Sequence, residues 1–268
     1  MSLRRKPAFP AFGESVLLCS LALLCGRLPP MNVAALVEEI EARVEDLPVR
    51  NAQALRGLRR EYSKRVEALP PRDVVRIATA LIARGRVHRF MGDELIASRP
   101  DALATLDLAQ LERLGSGISS WDQVDSFACT LSGPAWREGH IEDHAIEQWA
   151  NSKDRWWRRA ALVSTVPLNV RARGGRGDAG RTLRICTRLI GERDEMIVKA
   201  LSWALRALVA RDPDAVRRFI GRNQARLAAL VRREVLHKLA TGRKNPKPAR
   251  QNAGSAGAPS TSHVAALS

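Results

Sequence analysis

The spacing of apolar residues limits the possible folds of this chain more than any other feature. From Met31 to about Ala240 apolar residues recur at helical spacing, and no segment alternates convincingly with the two-residue period of a strand. Leu, Ala, Arg and Glu, all good helix formers, are abundant. We therefore predict an all-α protein with helices at 33–46, 51–67, 71–85, 87–97, 101–114, 119–131, 140–150, 154–165, 180–191, 194–210, 213–221 and 223–239.

Several helix boundaries carry local signals. Pro71 and Pro213 are suited to the first helical position, and Asp212 to the N-cap before the second of them. The segment 171–180 contains four glycines and three arginines and predicts a basic, mobile loop.

A faint repeat supports one architecture. At an offset of 40 residues Asp154 corresponds to Asp194 and Ala160 to Ala200, with Trp157 matching Ile197 and Arg159 matching Lys199. A period near 40 with two helices per unit is typical of HEAT-like repeats, which stack into a solenoid with one concave face. We predict an α-solenoid of HEAT-like helical repeats, in which one concave face collects the functional side chains.

The two ends of the chain differ from the rest. Residues 1–30 hold Arg4, Arg5 and Lys6 before a short apolar run, which mimics a signal peptide but lacks a clean cleavage site. We expect this leader to lie outside the fold, with a start at Met31 preferred to an export signal. Residues 31–240 would form the helical domain, and 241–268, rich in Pro, Ser, Gly and Ala, a disordered tail.

The net charge of +16 is distributed unevenly. Residues 151–250 carry 25 Lys and Arg against 8 Asp and Glu, whereas residues 1–150 carry 19 against 20. A preference for Arg over Lys would explain the residue type but not this asymmetry. A C-terminal half of one sign favours a polyanion partner, most simply nucleic acid, over a merely solvated basic face.

Cysteine and histidine indicate neither disulfides nor metal. The four cysteines have no paired spacing, and Cys129 and Cys186 fall in apolar helical patterns, which suggests a reducing compartment. His140 and His144 are one helical turn apart but lack a third ligand in the sequence. Gly174–Gly177 is not a phosphate-binding loop, because no strand precedes it and no Lys-Ser/Thr follows.

Three predicted helices carry candidate functional side chains. The first holds Trp121 and Asp125, one turn apart, with Trp121, Val124, Ala128 and Leu131 on a face predicted to be buried and Ser119 or Ser120 as N-cap. The second holds Trp156, Trp157, Arg158 and Arg159, and the third holds Trp203 and Arg206. Core packing is the alternative explanation for any single Trp. Their joint occurrence with an Asp and several Arg favours a shared basic face.

At these residues the sequence resembles the AlkD-like DNA alkylation-repair glycosylases, a bacterial family built from HEAT-like repeats. The resemblance covers roughly residues 40–240. It is carried by Ser120-Trp-Asp-Gln-Val-Asp-Ser126, by Trp149-Ala-Asn-Ser-Lys-Asp-Arg-Trp-Trp-Arg-Arg-Ala-Ala161 and by Lys199-Ala-Leu-Ser-Trp-Ala-Leu-Arg206. The helix start at Asp212 and the segment 232–238 also look alike.

This resemblance implies an enzyme that hydrolyses the N-glycosidic bond of N3- and N7-alkylated purines in duplex DNA. It implies that Asp125 is the essential carboxylate, that Trp121 and Trp203 flank the sugar-phosphate, and that Arg159 contacts a backbone phosphate. We expect Arg158 and Arg206 to assist DNA binding, and no metal or cofactor to be required. The protein is expected to be a cytoplasmic monomer without a membrane partner.

Two departures from the family pattern affect these expectations. Ser120 stands where the family often has the first of two consecutive Trp, and Tyr62, the only Tyr, is out of register with an aromatic residue that helps some members hold DNA. A DNA-binding protein with weak or no turnover and a protein-interaction solenoid therefore stay as alternatives. Asp125 favours the enzyme, because binding to a polyanion would gain from Asn at that position.

Overall fold

A computed structural model describes residues 32–243, and within that range every regular element is helical. The leader and almost all of the predicted tail lie outside the described residues. The α-helices are α1 (Val33–Glu45), α2 (Ala52–Arg65), α3 (Pro71–Ala83), α4 (Arg86–Ala97), α5 (Pro100–Ala104), α6 (Leu108–Gly115), α7 (Trp121–Phe127), α8 (Gly133–Arg137), α9 (Asp143–Ala150), α10 (Arg155–Ser164), α11 (Val166–Asn169), α12 (Ala179–Arg188), α13 (Glu195–Val209), α14 (Pro213–Asn223) and α15 (Ala229–Thr241). The all-α prediction is confirmed.

Several predicted helix boundaries differ from the observed ones, and two of the differences have local causes. The helix predicted at 101–114 is divided into α5 and α6, since Asp107 forms a capping box with Gln110 and begins a new helix. The helix predicted from 223 begins only at Ala229, because the chain turns after Asn223, whose side-chain amide donates to the Phe219 carbonyl. Pro71 and Pro213 do stand at helix starts, and Asp212 caps α14.

The predicted helix 119–131 continues without a break into α8 through a π-helical segment, Ala128–Ser132. Pro134 has no N–H to donate to the carbonyl four residues earlier, and the Gly133 N–H bonds instead to the Ala128 carbonyl. Such single π turns often occur near functional sites. This one directly follows the helix that carries Asp125.

The helices stack as a solenoid. One row runs α2, α4, α7, α10, α13, α15, each in contact with the next, and a second layer of helices, including α3, α9, α12 and α14, packs against it. Buried side chains form one large cluster through the centre and C-terminal part and a smaller one around α1–α4. The row is the structural counterpart of the predicted binding face, because the candidate residues lie on its successive members.

The predicted repeat at an offset of 40 residues corresponds to equivalent helices. Asp154 caps α10 by accepting a hydrogen bond from the Trp156 amide, and Asp194 caps α13 in the same way from the Met196 amide. Ala160 and Ala200, the matched small residues, are both buried.

Among the described residues no helix combines the length and apolarity needed to cross a membrane.

Candidate active site

Helix α7 presents Trp121 and Asp125 on neighbouring turns at one edge of the core. Val124, Ala128 and Leu131 are fully buried as predicted, but the prediction that Trp121 is buried was wrong, since it is 54% exposed. Trp121 is the first residue of α7, where the helix emerges from the core, so its indole projects over the adjoining cleft. An exposed indole is free to contact a ligand.

The start of α7 is stabilised by side chains around its first turn. Ser120 is the N-cap but makes no side-chain cap bond; instead Gln123 Oε1 accepts hydrogen bonds from the Ser119 amide and the Ser120 hydroxyl. Asp122 accepts from Arg86 Nε of α4 at 2.7 Å. These bonds lie around the first turn of α7, and Asp125, one turn further on, is the carboxylate of this helix that faces α10.

The guanidinium of Arg159 binds both oxygens of the Asp125 carboxylate. Arg159 of α10 donates from Nε to Oδ1 at 3.0 Å and from Nη2 to Oδ2 at 2.9 Å, while its Nη1 donates to the Met196 carbonyl. The Arg159 side chain is only 6% exposed, whereas the Asp125 side chain is 19% exposed. A bidentate pair of this kind fixes the plane of the carboxylate as well as its position.

Two opposing effects act on the pKa of Asp125, and burial is the larger of them. Burial raises the pKa of Asp125 above the ordinary aspartate value, while the Arg159 guanidinium and, more weakly, Arg173 lower it. Both Arg159 hydrogen bonds require an acceptor, so the arrangement suits the ionised carboxylate.

Two cavities meet at Asp125. One of about 570 Å³ extends toward α2 and α4, and the other, of about 460 Å³, extends toward α13 and α15. Trp121, Asp125 and Trp203 line both. The structure therefore brings together the three residues predicted to be catalytic, on the walls of the same two cavities.

The arginines predicted to bind DNA all have protein partners. Arg159 is occupied as described above. Arg158 donates to the Ser152 carbonyl at 2.8 Å and is paired with Glu192. Arg206 lies in the second cavity, but it contacts Ser202 and Glu234 and is largely buried. Their phosphate contacts stay predictions, and the geometry favours structural roles for Arg158 and Arg159.

Several aromatic residues lie away from Asp125. Trp157 belongs to a buried cluster with Phe127 and Trp149, and Trp156 stacks beneath the Arg155 guanidinium. Tyr62 is fully buried and donates to Glu39, so it is a core residue and not a DNA-facing one. For these residues the packing explanation is the better one.

The cleft includes residues that the sequence analysis did not select. Phe90 of α4 lines the larger cavity, with the Arg56 guanidinium 5.4 Å from its ring centre. Five further basic residues line the two cavities: Arg50, Arg86, Arg89, Arg173 and Lys199. The charge excess pointed to such cations, but it could not indicate which of the many arginines reach the cleft.

Segment 171–180 is irregular, as predicted, but it is held by specific hydrogen bonds. It opens with a 3₁₀ turn at Arg171–Arg173, and Arg211 donates to the carbonyls of Asn169 and Gly175 at 2.8 and 2.5 Å. Arg137 donates to the Arg173 carbonyl. These contacts place Arg173 in the larger cavity, near the Cys129 carbonyl. These bonds hold the segment in place, contrary to the prediction of a mobile loop.

A comparison with known protein families shows the family to which this chain belongs. The model of a family described as DNA alkylation repair enzyme matches residues 49–239. The chain belongs to this family. The matched range covers α2–α14 entirely and includes every residue of the cleft described above. A search of curated proteins finds no match.

In this DNA alkylation repair enzyme the cleft at Asp125 is the candidate active site, although it is not the largest cavity. A groove of about 960 Å³ lies between α1, α3 and α6, but it contains none of the predicted site residues. In the described range, one set of side chains has the composition of a metal site: Glu41, Glu45 and His88. None of the three lines a cavity beside Asp125.

Proposed function

We propose that this member of the DNA alkylation repair family is a glycosylase that hydrolyses the N-glycosidic bond of N3- and N7-alkylated purines in duplex DNA. The observation that carries the proposal is the Asp125 carboxylate, which a buried arginine holds at the junction of two cavities that Trp121 and Trp203 also line. The basic cleft attracts the DNA polyanion, and a carboxylate fixed within it can stabilise a positive charge that develops on the bound DNA.

The leaving group determines what the protein must supply. A purine alkylated at N3 or N7 is already positively charged, so its departure needs little help from a general acid. As the bond breaks, the deoxyribose gains oxocarbenium character, and a fixed carboxylate beside it stabilises that charge. Asp125 retains partial exposure, which allows it also to orient the attacking water.

We assign Arg159 a positioning role. Its three hydrogen bonds connect α10 to Asp125 on α7 and to the Met196 carbonyl at the start of α13. Such a clamp removes rotational freedom from the carboxylate, so little reorganisation is needed when the sugar becomes cationic. This role replaces the direct phosphate contact that the family resemblance implied.

The two indoles act on the same developing charge. Trp121 is half-exposed and Trp203 is partly buried, and both line both cavities. An indole face attracts a cation, and the attraction grows as water is displaced. With DNA bound, Trp121 and Trp203 would flank the sugar and exclude bulk water from it.

The surrounding cations provide the binding energy for the phosphodiester backbone. Arg50, Arg173 and Lys199 line the cleft on both sides of Asp125. Contacts of this type position the duplex without reading its sequence. Recognition by damage and not by sequence is what a repair enzyme requires.

The test compares two aspartates of the same helix. Asp125→Asn should reduce release of N7-methylguanine from methylated duplex DNA by at least about 100-fold, whereas Asp122→Asn, which removes the carboxylate paired with Arg86, should stay within a few-fold of wild type. Freed bases are measured by chromatography, and circular dichroism and duplex-binding assays establish that each variant is folded.

If folded Asp125→Asn protein releases bases at the wild-type rate, the catalytic assignment is wrong. If wild-type protein binds methylated duplex and releases no base, the glycosylase proposal is wrong, and the DNA-binding alternative replaces it.

A further inference from the structure

Three side chains at the N-terminal end of the solenoid offer metal-ligating atoms outside the cleft. Glu41 and Glu45 are one turn apart on α1, so their carboxylates share a face. His88 lies in the first turn of α4, the helix packed across α1. One donor atom from each of the three lies within 4.8 Å of the others.

His88 is the observation that separates this cluster from an ordinary acidic patch. The residue is 9% exposed, and its Nε2 is buried with no hydrogen-bond partner among the described residues. A buried ring nitrogen without a partner costs free energy, and coordination to a cation is one of the few ways to recover it. The ring stands beside two carboxylates, as a ligand would.

We propose that Glu41, Glu45 and His88 form a site for a first-row divalent cation, best suited to Zn²⁺, that joins α1 to α4. Imidazole favours zinc over magnesium or calcium, and two carboxylates with one imidazole leave a fourth position for water. Ligands about 2.0–2.1 Å from zinc lie about 3.4 Å apart in a tetrahedron, so the separations between the donor atoms must shrink by at most about 1.4 Å. Rotation of the two glutamate side chains can supply that contraction.

One neighbouring charge opposes the cation and offers a test. Arg84 Nη1 lies 3.0 Å from Glu41 Oε2, which leaves Oε1 of that carboxylate for a ligand bond. The guanidinium repels a bound cation and competes for Glu41. Its removal should therefore strengthen cation binding, an effect opposite in sign to the loss of a ligand.

The role that follows is structural. Helix α4 also carries Arg86, which pairs with Asp122, and Phe90, which lines the cavity beside Asp125. A cation between the two helices would hold α4 against α1. Because a ligand that binds only the folded state stabilises it, zinc should raise the melting temperature of the full-length protein.

The experiment uses full-length protein freed of metal with a chelator. Zn²⁺ is titrated by calorimetry, and Co²⁺ serves as a spectroscopic probe of coordination by visible absorption. We expect one equivalent to bind, with Glu45→Gln and His88→Gln each weakening affinity by at least about tenfold, since even loss of an outer partner of a metal ligand costs about 10- to 100-fold. Arg84→Gln should tighten binding several-fold.

His144→Ala is the matched control, because His144 is exposed, paired with Glu142 and distant in sequence from the cluster. It should leave zinc affinity and the cobalt spectrum unchanged. Absence of Zn²⁺ binding by wild type overturns the proposal, and so does equal affinity of wild type and Glu45→Gln, an exposed position at which loss of folding is not expected. Loss of binding in His144→Ala would overturn it in favour of a site on α9.

Discussion

Asp93 is a buried acid that should make the stability of this protein fall as the pH rises. It lies on α4 with no exposed surface, accepts a hydrogen bond from the Ser126 hydroxyl at 2.7 Å, and leaves Oδ1 without a partner among the described residues. Burial raises the pKa of Asp93 from 3.8 to about 7, although the Ser126 bond and the nearby Arg89 charge oppose the shift.

The sign follows from proton binding. The folded state holds the Asp93 proton more tightly than the unfolded chain, so the contribution of this group to stability is fully present below about pH 4 and is lost as the pH rises to about 7. Within that window the free energy of unfolding falls by about 1.4 kcal/mol per pH unit. Between pH 5 and pH 8 the loss amounts to about 2.5 kcal/mol.

The substitution Asp93→Asn isolates this effect, because the amide has nearly the same shape and stays neutral. We expect the difference in unfolding free energy between variant and wild type to shift in favour of the variant by about 2.5 kcal/mol from pH 5 to pH 8. In urea titrations this moves the relative midpoint by about 1 M, for a slope near 2–3 kcal/mol per molar. Asp46→Asn, at an exposed position, controls for the loss of one negative charge.

A difference between Asp93→Asn and wild type that stays constant from pH 5 to pH 8 would refute the reasoning, because it would show that Asp93 exchanges no proton between folded and unfolded states in this range. A shift in the opposite direction would show that hydrogen bonds to the charged form outweigh burial.

The remaining predictions concern stability and DNA binding. Leu205→Ala, at a fully buried position of α13, should lower the free energy of unfolding by about 2–5 kcal/mol in urea titrations, and a loss below 1 kcal/mol would show that the site collapses around the gap. Asp212→Ala removes the cap of α14 and should cost about 1 kcal/mol, measured by thermal unfolding; an unchanged midpoint would mean that water replaces the cap. Arg173→Ala should weaken duplex binding and reduce the slope of log K against log salt by about 0.9, the equivalent of one phosphate, whereas an unchanged slope would assign Arg173 to the protein interior.

Much of the fold was predictable because its signals are local. Apolar spacing, Pro71 and Asp212 act within one or two helical turns, so helix positions and several boundaries could be predicted from the chain. The capping box at Asp107 was also visible in sequence, but the continuous apolar spacing across it favoured one helix. At such points the competing local signals are similar in strength, and packing determines the outcome.

The residues of the candidate site could be predicted from the sequence, but the hydrogen bonds between them could not. Asp125, Trp121 and Trp203 were named from motifs and do meet in the structure. The partner of Arg159 could not be predicted, because a guanidinium binds carboxylate and phosphate with the same geometry. Which of the two it contacts depends on the separation of α7 and α10, 34 residues apart in the chain.

The amino-acid sequence alone determined that the chain is helical, that it repeats, and that its positive charge is concentrated after residue 150, since these properties need only neighbouring residues and composition. Only the tertiary structure decided which of the many arginines bind partners within the protein and which line the cleft. It also decided that Trp121 is exposed and that Asp93 and His88 are buried. Burial and pairing depend on contacts with residues of other helices, and a local sequence pattern does not show which residues those are.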